Sequence, residues 1–257
     1  MIEARALDYR IGAAHILRRI DVRIEKGEFY GIIGPNGSGK STLLKLLSGL
    51  ERAQGGTVAL GGRELSAYGR KELARRVAVL QQEALPSLGY TVREVVEMGR
   101  YPHQSWLGGE KEDPTRLIDV VMEKLDLAVL SSRPIAELSG GERQRAALAK
   151  TLVQEPEVLM LDEPTTYLDI GFQLQMMDYV RRWQRDSGRT VVAVLHDLNL
   201  AAQYCDRLLV LRDGRAAAEG PPGEVLVPDL VQDVYGTEPI VLPHPDSGVP
   251  QILLRGR

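Results

Sequence analysis

The chain has 257 residues, with 32 Lys plus Arg, 35 Asp plus Glu and a formal net charge of -3. That length suits one large domain with a modest subdomain, and the charge balance gives no electrostatic reason to expect nucleic acid or an anionic membrane surface as the main partner. No apolar run approaches the roughly 18 residues of a membrane-spanning helix, Met1–Arg5 lacks a secretory leader, and the single Cys205 excludes an internal disulfide, so a cytosolic protein is expected.

In chain order, residues 2–9 and 15–24 alternate apolar and polar positions around a turn near Gly12 and predict an antiparallel strand pair. Phe29–Ile33 is a short apolar run that ends in a glycine-rich loop, and Ser41–Leu47 beyond it has helical composition. Residues 57–60 and 77–80 read as further strands. From about Gln82 to Arg133 the character changes: Thr91–Met98 and Arg116–Leu127 have helical periodicity, split by a loop with Pro102, Gly108, Gly109 and Pro114.

Strand-helix alternation then returns. The runs 158–161 and 191–195 are continuously apolar, as for parallel strands buried on both faces, with helices beginning near Gly140, Phe172 and Leu198. A terminal hairpin is expected over 240–242 and 252–254, turning at Asp246–Gly248. The pattern predicts an α/β fold with a mainly parallel sheet, an N-terminal antiparallel β subdomain and an inserted helical subdomain. The insertion is placed at about 83–155, counting the helix from Gly140, and residues 236–257 form a C-terminal extension.

Gly34-Pro35-Asn36-Gly37-Ser38-Gly39-Lys40-Ser41-Thr42 fits the phosphate-loop pattern G-x-x-x-x-G-K-[ST] in its required strand-loop-helix context. The glycines let backbone approach phosphate, and the amides of Gly37–Thr42 face an anion. Lys40 then meets the β- and γ-phosphates of a nucleotide, and the Ser41 hydroxyl is a Mg²⁺ ligand. Asp162 and Glu163 end the strand 158–161. Adjacent acids at a strand end are commonly solvated caps, but beside a phosphate loop Asp162 suits Mg²⁺ binding.

A phosphate loop alone leaves kinases, GTPases and helicases open. Downstream, Leu138-Ser139-Gly140-Gly141-Glu142-Arg143-Gln144 resembles the signature peptide of ABC-type ATPases, and the resemblance runs from Tyr9 to about Tyr235. It implies a P-loop NTPase core that hydrolyses ATP with Mg²⁺. It also implies two copies sandwiching ATP, with Ser139, Gly140 and Gly141 of each completing the other's site. By the same resemblance Glu163 is the general base, His196 contacts the γ-phosphate, and Gln82 reaches the metal and the attacking water. Gln81 adjoins Gln82 and is the other choice. Tyr9 resembles the aromatic that stacks on adenine, unless it packs at its hairpin end. Thr166-Tyr167-Leu168-Asp169 matches the family's D-loop, with Thr where Ser is commoner.

Residues 91–103 and 164–170 look like importers for iron-siderophores, haem and vitamin B12, with iron-siderophore preferred. In that subfamily the ATPase lies on the cytoplasmic face of the membrane, docked on two membrane-spanning permease subunits that work with an extracytoplasmic binding protein. A soluble ABC-type ATPase of translation or repair would need a tandem cassette or a coiled-coil insertion. A small-molecule kinase gives no reason for the signature peptide. His15, His103, His244 and Cys205 show no metal-site spacing and are read as structural or surface residues.

Overall fold

Alternating apolar residues at the N-terminus give two long antiparallel strands, β1 (Ile2–Ile11) and β2 (Ala14–Ile24), that bury one face. The computed structural model describes residues 1–81, 85, 89–105, 109–110, 112–166 and 168–254. Two compact units form: Met1–Ala67 together with Arg181–Arg257, and Tyr68–Val180.

In the first unit the fully buried β3 (Phe29–Ile33) leads through the glycine loop into α1 (Lys40–Ser48). β4 (Gly55–Leu60) pairs antiparallel with β1, and the short β5 (Arg63–Glu64) extends the sheet in the order β2-β1-β4-β5.

The second unit opens on α2 (Arg70–Arg76), which runs into β6 (Val77–Leu80). α3 (Val92–Glu97) starts at a capping box in which the Glu94 amide donates to Thr91 Oγ1 at 3.3 Å and the Thr91 amide to Glu94 at 2.8 Å. It tightens into a 3-10 turn over Met98–His103, the geometry forced by Pro102. α4 (Thr115–Lys124) stops short of the expected Leu127, because Asp126 turns left-handed at φ 54°. α5 (Gly140–Leu152), β7 (Val158–Asp162) and the first part of α6 (Ile170–Ser187) complete the unit, with β6 and β7 parallel.

The 3-10 turn is gripped on several sides. Arg100, nearly buried, donates to the Val153 carbonyl at 2.6 Å, to Glu155 at 2.8 Å and to Glu110 at 2.7 Å. The Arg75 guanidinium holds the Pro102 carbonyl at 2.7 Å, and Lys71 holds that of Gln104.

Back in the first unit, β8 (Thr190–Val194) pairs parallel with β3, and α7 (Leu198–Tyr204) follows it. β9 (Arg207–Arg212) pairs parallel with the other side of β3, and β10 (Arg215–Gly220) closes that edge antiparallel, giving β10-β9-β3-β8. β3, β7 and β8 are buried along their whole lengths, as continuous apolar runs require. α8 (Pro222–Val225) and α9 (Pro228–Tyr235) lead to the hairpin of β11 (Pro239–Pro243) and β12 (Pro250–Leu254).

Gly99 sits so close to α5 that a Cβ would stand 2.0 Å from the Lys150 carbonyl oxygen and 2.7 Å from Val153. A backbone obstacle cannot swing aside. Gly99→Ala should therefore destabilise the protein by about 1–3 kcal/mol, the range for overpacking. Denaturant unfolding with an unchanged midpoint would show that α5 and the 3-10 turn separate freely.

Candidate functional site

The phosphate loop takes its shape from close backbone approach. Gly34 has φ 147°, and a Cβ there would lie 2.1 Å from the Leu211 carbonyl oxygen and 2.9 Å from Ser38 Oγ. Gly39, left-handed at φ 100°, caps α1 without a side chain, so no side-chain acceptor stands at the start of that helix, and the Leu43 amide closes its first turn on the Gly39 carbonyl at 2.8 Å. Lys40 is 5% exposed, and its ammonium donates to the carbonyls of Gly34 and Pro35, each at 2.9 Å. Ser38 Oγ is buried without a hydrogen-bond partner. An orphaned hydroxyl one residue before the left-handed glycine that opens α1 fits an anionic ligand such as a nucleotide phosphate. Asn36 and Gly37 are exposed; Ser41 and Thr42, on the first turn of α1, are half-buried.

Other candidate groups belong to the same unit. Tyr9 lies on β1 opposite Leu17, and its hydroxyl donates to Glu51 at 3.3 Å. The Leu17 side chain is the atom group that a Cβ on Gly39 would strike, at 2.7 Å. The Tyr235 hydroxyl at the end of α9 meets the backbone of Gly34, and burial pushes its phenol up to about 12 against that contact. His196 is exposed just beyond β8. Its neighbour Asp197 caps α7, accepting from the amides of Asn199 (2.7 Å) and Leu200 (3.1 Å). Asn199 in turn bonds both backbone groups of Ile252 on β12.

The second unit carries the acidic pair and the signature peptide. Asp162, 8% exposed, is the last residue of β7. Glu163 follows in the left-handed region at φ 51°, a conformation that costs a non-glycine residue of order 1–3 kcal/mol. Thr166 Oγ1 donates to its carboxylate at 3.4 Å. Ser139 caps α5 in a full capping box: Glu142 N donates to Ser139 Oγ at 3.3 Å, and Ser139 N to Glu142 at 2.7 Å. These bonds hold the Glu142 carboxyl below its usual range, the Ser139 amide first and the hydroxyl second. A Cβ on Gly140 would meet nothing within 4 Å. The helix start thus has two of its donors engaged and shows the amides of the two glycines outward.

Within the first unit, then, Gly34–Thr42 follow β3 and His196 follows β8, its parallel neighbour, while Tyr9 stands on β1 of the other sheet. Within the second, Asp162, Glu163 and Ser139–Gly141 share β7 and α5. Gln82 and Tyr167 lie outside the described residues. His15 pairs with Asp8 at 2.6 Å, His103 with the Gln154 carbonyl at 2.9 Å, and the His244 ring accepts the amides of Asp246 and Ser247 in the hairpin turn. Cys205 is buried, which pushes its thiol up. Glu142 went unread as a capping partner, although the spacing Ser139-x-x-Glu142 is the signal for one.

The family model described as ABC transporter matches residues 17–166. The chain belongs to that family. It is an ATPase cassette, and its fold agrees with solved ones. An ATP-binding cassette of an ABC transporter in its ADP conformation superposes with a TM-score of 0.80 at 27% identity, over 93% of this chain and 99% of that one. Curated relatives of this ABC ATPase include the ferric enterobactin transport ATP-binding protein FepC of Escherichia coli (strain K12), 39% identical over 96% of this chain and 91% of its own. The hemin import ATP-binding protein HmuV of Rhodopseudomonas palustris (strain HaA2) is 43% identical over 98% and 96%. Other relatives are longer: the chain spans 58% of the uncharacterized ABC transporter ATP-binding protein YvrA of Bacillus subtilis (strain 168), at 40% identity.

The loop gives a direct test. Gly34→Ala introduces a clash with a backbone carbonyl that no rotamer relieves. ATP affinity, read by calorimetry with a non-hydrolysable analogue, should fall at least tenfold, which corresponds to about 1.4 kcal/mol. Unchanged affinity would mean that the loop does not need this approach to bind nucleotide.

Proposed function

We propose that this ABC ATPase powers import of an iron chelate, an iron-siderophore complex before haem or vitamin B12, from the cytoplasmic face of the membrane. Two copies sandwich two ATP molecules, dock on two permease subunits and serve an extracytoplasmic binding protein. The observation that carries the sandwich is the start of α5. It is capped and rigid, yet its two glycines present amides with no side chain over Gly140. A solved cassette at 26% identity is a dimer in a post-hydrolysis state bound to ADP and Pi, which supports the arrangement. The cargo rests on the names of the relatives, siderophore and hemin importers matched over nearly their full lengths. No helix among the described residues is long and apolar enough to cross a membrane.

In this reading the amides of Gly37–Thr42 and Lys40 bind the β- and γ-phosphates, and Tyr9 stacks on adenine. Ser41 and Asp162, with Gln82, would hold Mg²⁺, which neutralises charge on the phosphate oxygens when bound. The left-handed backbone at Glu163 sets its carboxylate beyond the strand end, where it accepts a proton from the attacking water. His196 reports the γ-phosphate.

Glu163→Gln keeps shape and hydrogen bonding but loses the base. It should bind ATP and hydrolyse it about 10²–10⁴-fold more slowly. With ATP it should shift from monomer to dimer in light scattering, and adding Ser139→Arg should abolish that shift. A monomer at saturating ATP counts against the sandwich. For the cargo, cells relying on the Glu163→Gln protein should lose uptake of radiolabelled ferric siderophore. Persistent uptake would move the assignment to another substrate.

A further inference from the structure

The turn after β7 holds Glu163 in a conformation its side chain does not favour, so something around it must impose that shape. Its own hydrogen bonds are long: Thr166 N to the Glu163 carbonyl at 3.2 Å and Leu168 N to that of Thr165 at 3.3 Å. Among the described residues, two glutamine side chains brace it as well. Gln144, one turn into α5, donates its Nε2 to the Pro164 carbonyl at 3.0 Å. Gln173 on α6 donates to the carbonyls of Thr165 and Leu168, both at 3.1 Å. Three carbonyls of one short turn are thereby pinned from two helices, and all these residues lie in the same unit.

We propose that Gln144 and Gln173 are positioning residues for Glu163, and that Gln144 ties the signature helix to the hydrolytic turn of its own chain. The physical reason is the choice of group. A primary amide donates to a carbonyl without adding charge beside a carboxylate, whereas Lys or Arg there would compete for Glu163 itself. Gln144 also stands on the helix whose first turn is Gly140-Gly141. A rigid helix that shifts when its N-terminus meets a neighbour's nucleotide carries the Pro164 carbonyl with it, and so the backbone on which Glu163 stands. The inference rests on the reading of Glu163 as the base.

The test uses the full chain and substitutions that keep shape but remove the donor. Gln144→Glu, which loses one neutral hydrogen bond, should lower kcat for ATP about 3- to 10-fold, and Gln173→Glu, which loses two, at least as much, with KM for ATP and the thermal midpoint little changed. Gln144→Lys, which restores a donor but adds a charge that competes for Glu163, should not recover the rate. In single turnover, Gln144→Glu added to Glu163→Gln should cause no further loss, because both act through one carboxylate. Wild-type kcat in both glutamate variants overturns the proposal, as does a loss that multiplies with that of Glu163→Gln. So does a fall in kcat that tracks a lowered thermal midpoint in both variants. If Glu163→Gln itself keeps full activity, the base assignment fails instead, and that result is read independently of the glutamines.

Discussion

An ammonium cannot be buried without acceptors around it, and the nucleotide loop is organised by that requirement. Taking a charge out of water costs several kcal/mol even after relaxation. Lys40 meets it by drawing the Gly34 and Pro35 carbonyls inward. Those two peptides can turn their oxygens toward Lys40 only if the chain passes within contact of the Leu211 carbonyl, which leaves no room for a side chain at position 34. The Ser38 amide closes the turn on the same Pro35 carbonyl at 3.2 Å, so the loop is folded around its own lysine.

The two helix starts of the candidate site solve the same problem differently. α1 begins at a left-handed glycine that brings no side-chain acceptor to the helix start. α5 begins at a capping box that occupies two donors and leaves those of Gly140 and Gly141. The first arrangement puts no side chain between the helix start and an anion. The second is stable by itself and suits a surface that meets a nucleotide only part of the time.

Much of this was legible in the residues. The phosphate-loop spacing, the buried runs at 158–161 and 191–195, and the tail hairpin with its turn near Asp246–Gly248 all appear where periodicity and turn chemistry put them. α2 was not, because Arg70–Arg76 holds one large apolar residue, Leu73, and a single apolar position has no period. β10 reads Arg-Ala-Ala-Ala-Glu-Gly, poor in strand formers, and is a strand because β9 offers it an edge. β9 itself, with the apolar run Leu208–Leu211, carried as clear a signal as the strands that were read. The left-handed turn at Glu163 and the grip of Gln144 and Gln173 have no sequence mark at all. They depend on residues up to 20 positions apart whose meeting is set by the packing of α5 and α6.

Asn199 gives the C-terminal hairpin an ending that its backbone lacks. The side-chain amide accepts from the Ile252 amide at 2.7 Å and donates to the Ile252 carbonyl at 3.3 Å, the two bonds that a neighbouring strand would make. A two-stranded ribbon is marginal in water, and an open ribbon edge is a template for pairing with other chains. One asparagine thus stands in for a missing third strand and blunts the edge of β12 at its midpoint. Extensions fused beyond Leu254 would leave that lock in place, whereas replacing Asn199 would turn the hairpin edge into an aggregation hazard while the rest of the fold stayed intact.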